Sequence, residues 1–104
     1  MEIKEINPIE AQKLVNENAY LLDVREDQEV EELAYDVKNL IHIPLSQLQD
    51  RISEVPTDKE VIVGCRSGAR SYRATEFLLH NGYQNVKNLK FGIIGWSQDG
   101  LPTK

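Results

Sequence analysis

Short apolar runs alternate along the chain with segments whose apolar residues recur every three or four positions. These two periods predict strands interleaved with helices. Residues 3–6 read as a short edge strand. Asn7-Pro8-Ile9-Glu10 reads as a helix start: Asn7 caps, Pro8 occupies the first turn and Glu10 reaches back to the cap. Ala11, Leu14 and Val15 continue that helix. Residues 19–24 have the composition of a buried strand. Residues 40–43 form a brief strand that Pro44 stops, and Leu45, Leu48, Ile52 and Val55 then mark a helix face ending before Pro56. Val61-Ile62-Val63 is the most β-branched run and predicts a central strand. Ala74, Phe77 and Leu78 give the next helix face, with Gly82 as its stop. Residues 86–89 make the last strand, and residues 92–96 one or two helical turns. The alternation implies crossover connections, hence an α/β fold with a parallel sheet of about five strands and helices on both faces. Trp96, Phe91 and Phe77 are assigned to the core, with Trp96 also at the rim of the site.

Length, charge and cysteine count narrow the functional classes. A chain of 104 residues is expected to form a single domain over residues 1–104. Twelve basic against 17 acidic side chains give a net charge of −5, which argues against nucleic-acid binding. One cysteine excludes an intramolecular disulfide and a zinc site of clustered cysteines, and no metal or cofactor is expected. No apolar run approaches the ~20 residues of a membrane helix. The first ten residues lack the basic and apolar regions of a secretory signal, so a cytoplasmic protein with no membrane partner is expected. Residues 26–36 carry six acids (Glu26, Asp27, Glu29, Glu31, Glu32, Asp36) and no base. They read as a solvated helix and loop, or as a docking surface for a basic partner.

The candidate chemistry lies just after the central strand. Cys65 falls in a strand-to-helix turn at the carboxyl edge of the sheet, where ligands of such sheets bind. Unpaired N–H groups at a helix start carry the positive end of the helix dipole and cradle anions. A cysteine there is expected to have a depressed pKa, because its thiolate is such an anion. Gly68 supplies the backbone freedom the turn needs. Between Val61 and Thr75 stand Arg66, Arg70 and Arg73 and no acid, a positive island suited to a small anionic substrate.

Cys65-Arg66-Ser67-Gly68-Ala69-Arg70-Ser71 resembles the active-site loop of the rhodanese family, the thiosulfate:cyanide sulfurtransferases. Leu21-Leu22-Asp23-Val24-Arg25-Glu26 is similar to the family's early "LLDVRE", and Ile43-Pro44-Leu45 to its "IPL". Residues 91–96, with Gly100-Leu101-Pro102, resemble its closing "GGxxxW…GxP". Two departures stand out. Residues 35–40 replace the family's "GHIPGA", and Phe91 stands where the first glycine of the "GG" falls. Phosphatases of related architecture separate Cys and Arg by five residues, whereas four lie between Cys65 and Arg70. The shorter loop suits one sulfur atom better than a tetrahedral phosphate.

The resemblance implies a rhodanese-like fold and a Cys65 persulfide formed from thiosulfate or a similar donor and passed to cyanide or a thiol. The backbone N–H groups of Arg66, Ser67, Gly68, Ala69 and Arg70 would stabilise that sulfur. Arg66 would face solvent and steer the donor, and Arg70 would either close the loop by pairing with a carboxylate or form an ordinary ion pair. Asp23, Arg25 and Ser71 would brace the site, although Asp23 also fits a simple turn cap. His80, twelve residues past Gly68 and so roughly 18 Å along the helix, is too distant to act as a base. His42 ends a strand on the active edge and is read as structural. The alternatives are sulfur delivery to a protein partner, a regulatory module without turnover, and a phosphatase or arsenate reductase.

Overall fold

A computed structural model describes residues 2–104. Five strands, β1 (Glu5–Ile6), β2 (Tyr20–Asp23), β3 (Leu40–His42), β4 (Val61–Gly64) and β5 (Val86–Leu89), form one sheet in the order β1-β5-β4-β2-β3. Every strand pairing is parallel. The β-branched run is therefore the central strand, and the edge strand at the amino end is shorter than its apolar pattern implied. Helices α1 (Pro8–Asn16), α2 (Asp27–Glu32) and α3 (Ala69–His80) lie in three of the connections, and α4 (Gly92–Gln98) follows the last strand.

Asn7 caps α1 by accepting the Glu10 N–H at 2.9 Å, with Pro8 following in the first turn. The Glu10 carboxylate does reach back, but to the Asn7 side-chain amide at 2.7 Å and not to its backbone. The helix expected over residues 45–55 is instead two 3-10 turns, Leu45–Gln47 and Ile52–Glu54. Neither turn has a side-chain cap, and Arg51, with ψ +18°, leaves the helical path between them. The apolar spacing still performs its task, because Leu48 and Val55 are buried.

Alternate strand residues face two cores. Leu22, Val24, Val61, Val63 and Cys65 pack with Ala74 and Leu78 of α3 and with the 3-10 segment. Leu21, Ile62 and Leu89 pack on the opposite face with Ala11 and Val15 of α1 and Ile93 and Trp96 of α4. Trp96 is fully buried, with its indole N–H donating to the Pro102 carbonyl at 2.7 Å, so it does not line the rim. Phe91 is 55% exposed and not a core residue, because its φ of +70° turns the ring outward at the start of α4. Phe77 is only half-buried. The register Asp23↔Gly64 and Asp23↔His42 brings three strand ends level at the carboxyl edge. That edge carries Cys65.

Candidate functional site

Cys65 follows the last residue of β4, and its side chain lies at the start of α3. Gly68 is the residue before that helix, with φ +106°, a conformation that L side chains resist. A Cβ there would also approach the Phe91 nitrogen to 3.2 Å. The Gly68 N–H donates to Cys65 Sγ at 3.1 Å, and the Ser71 hydroxyl donates to the same sulfur at 3.3 Å. Burial pushes the thiol pKa up, but the Ser71 hydroxyl and the N–H groups of Ser71, Gly68 and Ser67 outweigh it, and the net shift is downward.

The carbonyls of the loop face the other way. The N-terminal amides of α4 take two of them: Ile93 N–H donates to Cys65 O at 2.9 Å and Ile94 N–H to Arg66 O at 3.1 Å. Gly92 makes this docking possible, since a Cβ on it would lie 2.4 Å from Arg66 O. With carbonyls engaged behind, the loop presents donors to the sulfur. Phe91 itself takes a positive φ of +70° at the start of α4, a conformation that glycine adopts without strain.

Asp23 and Arg25 form a buried ion pair beside the loop. Arg25 Nη2 lies 2.8 Å from Asp23 Oδ2, and the Arg25 backbone N–H donates to Asp23 Oδ1 at 3.0 Å. Asp23 is thus at once turn cap and ion-pair partner. Arg70 makes a bidentate pair with Glu29, at 2.7 and 2.8 Å, that ties α3 to α2. The Arg70 hydrogen bonds hold the Glu29 carboxyl at about 2, well below its usual 4.5. The positive island is therefore smaller than its residue count, because Glu29 neutralises Arg70. Arg66 and Arg73 are exposed. The side chains of Ser67 and Ala69 are exposed. A cleft of about 400 Å³ runs past Arg66, Arg25, Glu29, Ile93 and Ile94, and a second of similar size lies between Ser67, Pro8, Phe91 and Ile94.

His42 Nε2 lies 2.7 Å from the Arg25 carbonyl, so the ring supports the Asp23–Arg25 turn. His80 is the exposed last residue of α3. Among the described residues, no group of three His, Cys, Asp or Glu side chains is placed to hold a metal, and no helix is long and apolar enough to cross a membrane. Three contributors are not marked in the sequence. Glu29 lies in a stretch distinguished only by its charge, the α4 amides carry no side-chain signature, and Tyr35, whose hydroxyl donates to the Cys65 carbonyl at 2.8 Å, falls in a segment that departs from the family pattern.

A thiol at a strand-to-helix turn, ringed by donors and braced by buried charge on a parallel sheet, defines a class. The chain belongs to the rhodanese-like domain family, whose model matches residues 7–99. It is 36% identical over 102 residues to a sulfurtransferase from Allochromatium vinosum, covering 93% of this chain and 94% of that protein. Among solved structures it resembles a rhodanese-related protein from Thermoplasma volcanium, with a TM-score of 0.87, 32% identity and 97% of both chains covered. It also resembles reduced CoADR-RHD from Bacillus anthracis, with a TM-score of 0.83 and 36% identity over 91% of this chain. This chain spans 16% of the length of that larger protein.

Proposed function

We propose that residues 1–104 act as one sulfurtransferase unit, cytoplasmic in residence, with Cys65 as the sulfur carrier. The observation that carries this reading is the pair of hydrogen bonds to Cys65 Sγ from Gly68 N–H and the Ser71 hydroxyl at the start of α3. The Cys65 thiolate attacks the outer sulfur of thiosulfate. A new S–S bond forms, the donor's S–S bond breaks, and sulfite leaves with the electron pair. Cyanide or a thiolate then attacks the outer sulfur of the persulfide, and the Cys65 thiolate departs. This is covalent catalysis, with ping-pong kinetics expected. The loop N–H groups stabilise charge on whichever sulfur carries it. Exposed Arg66 draws in the anionic donor. Arg70, Asp23 and Arg25 hold the loop in place. The engagement of Arg70 by Glu29 also weighs against phosphatase chemistry, in which an arginine must face the bound anion.

Intact mass after incubation with thiosulfate tests the proposal. The native protein is expected to gain one sulfur, Cys65→Ser none, and cyanide to erase the gain. Loading should slow as pH falls through the lowered thiol pKa, because the thiolate is the nucleophile. Absence of loading on a confirmed reduced thiol would overturn thiosulfate as donor.

A second reading, sulfur delivery to a basic protein partner, is favoured by one observation. Glu26, Asp27, Glu31 and Glu32 are exposed on and beside α2, and Glu32 reaches the cleft that Arg66 lines.

A further inference from the structure

We infer that Tyr35 is a positioning residue for the Cys65 thiolate: its hydroxyl, bonded to the Cys65 carbonyl, fixes the peptide orientation in which the loop donors face the sulfur. The Tyr35 hydroxyl donates to Cys65 O at 2.8 Å, and the side chain is fully buried. The same oxygen accepts the Ile93 N–H at 2.9 Å. A carbonyl has two lone pairs, so both are used. If this carbonyl rotated, its negative end would swing towards the sulfur and the donors of the following residues would turn away. The two hydrogen bonds oppose that rotation from different elements, one from α4 and one from the segment after α2.

The Tyr35 ring is itself fixed on several sides. It meets Trp96 edge-on, with centroids 5.4 Å apart. The Arg25 guanidinium lies 5.5 Å from its centroid. Its neighbours are laced to the C-terminal segment: Ala34 and Lys104 exchange hydrogen bonds of 2.7 and 2.9 Å, and Asp36 N–H donates to Pro102 O at 3.0 Å. Gly64 leaves room for the phenol, since a Cβ there would stand 2.8 Å from its oxygen. The hydroxyl therefore has one well-defined seat. The charged groups facing it are Asp23 and Arg25 at the end of β2 and Cys65 itself. Burial first, then Asp23 and the Cys65 thiolate, keep the phenol protonated, so it remains a donor throughout the range in which the thiol ionises.

This inference rests on Cys65 as the reacting group, and its test is independent of turnover. The rate of Cys65 alkylation by iodoacetamide is followed against pH in the native protein, in Tyr35→Phe, and with p-aminophenylalanine at position 35, which restores a donor. Folding is checked by cooperative thermal unfolding. Tyr35→Phe is expected to alkylate about fivefold more slowly at neutral pH, the size of one net hydrogen bond, with its pH midpoint moved upward. The aminophenylalanine form should recover most of the rate. In sulfur loading, Tyr35→Phe should lose rate by the same factor with little change in the thiosulfate concentration for half-maximal rate. A folded Tyr35→Phe with the native pH profile overturns the inference, and so do Phe and aminophenylalanine forms that are equally slow. Should Phe at this position prevent folding, 3-fluorotyrosine takes its place. Its stronger donor must speed alkylation at neutral pH, and an unchanged rate overturns the inference. A protein that alkylates as expected but loads no sulfur would sink the proposed function and leave the role of Tyr35 standing.

Discussion

Cys65 and Glu29 illustrate, at the scale of single residues, how surroundings set ionisation. Both carry shifts with two opposed causes, and the hydrogen bonds win in each. For Glu29 the consequence reaches stability. Its folded-state pKa of about 2 lies below the ordinary 4.5, so its contribution is present above pH 4.5 and is lost as pH falls towards 2. The pair is 35% and 30% exposed on its two sides, so solvent screening limits it to about 1 kcal/mol. Glu29→Gln should therefore be less stable than the native protein by about that amount at neutral pH. Urea unfolding at a series of pH values should show the gap closing below pH 4.5. A gap that stays constant into acid would remove the ion pair as its source.

At the scale of elements, the site is assembled by the start of two helices. α3 aims its first donors at the sulfur, and α4 takes up the carbonyls on the far side of the same loop. The contact between α4 and the loop is so close that only glycine fits at position 92, where φ is +54° and Arg66 O would stand 2.4 Å from a Cβ. Gly92→Ala combines overpacking against backbone with a conformation costly to L residues, and should cost roughly 2 kcal/mol or more. Its denaturant midpoint should fall, and sulfur loading should fall with it even under conditions where the protein remains folded. Native loading in a destabilised Gly92→Ala would show that α4 supports the fold without shaping the cradle.

For the whole molecule, the decisive feature is the distribution of charge about one sheet edge. A chain of net charge −5 presents Arg66 beside the loop and an acidic face next to it on α2. The two serve different substrates if sulfur is delivered to a protein. Arg66 would attract a small anion, whereas Glu26, Asp27, Glu31 and Glu32 would meet a basic surface. Reversing these four acids to lysine should slow persulfide transfer to a basic protein acceptor and leave transfer to cyanide unchanged or faster. Equal loss with both acceptors would assign the acids to the fold and not to docking.

Much of this protein was determined by its sequence, because local periodicity and turn chemistry act between near neighbours. The five strands, helices α1 and α3, the central place of residues 61–63, the Asn7 cap and the position of Cys65 at a strand-to-helix turn all follow from spacing within a few residues. The sequence pointed to a carboxylate partner for Arg70, but not to its identity. Tertiary structure alone decided that Glu29 meets Arg70 across 41 positions and that Tyr35 reaches the Cys65 carbonyl across 30. Such partners depend on the parallel register and on how each helix seats against the sheet, which no local spacing encodes. The same cause explains the outward Phe91 and the buried Trp96. Hydrophobicity marks both for the core, yet the φ of +70° at Phe91 turns its ring outward while Trp96, further along α4, is fully buried.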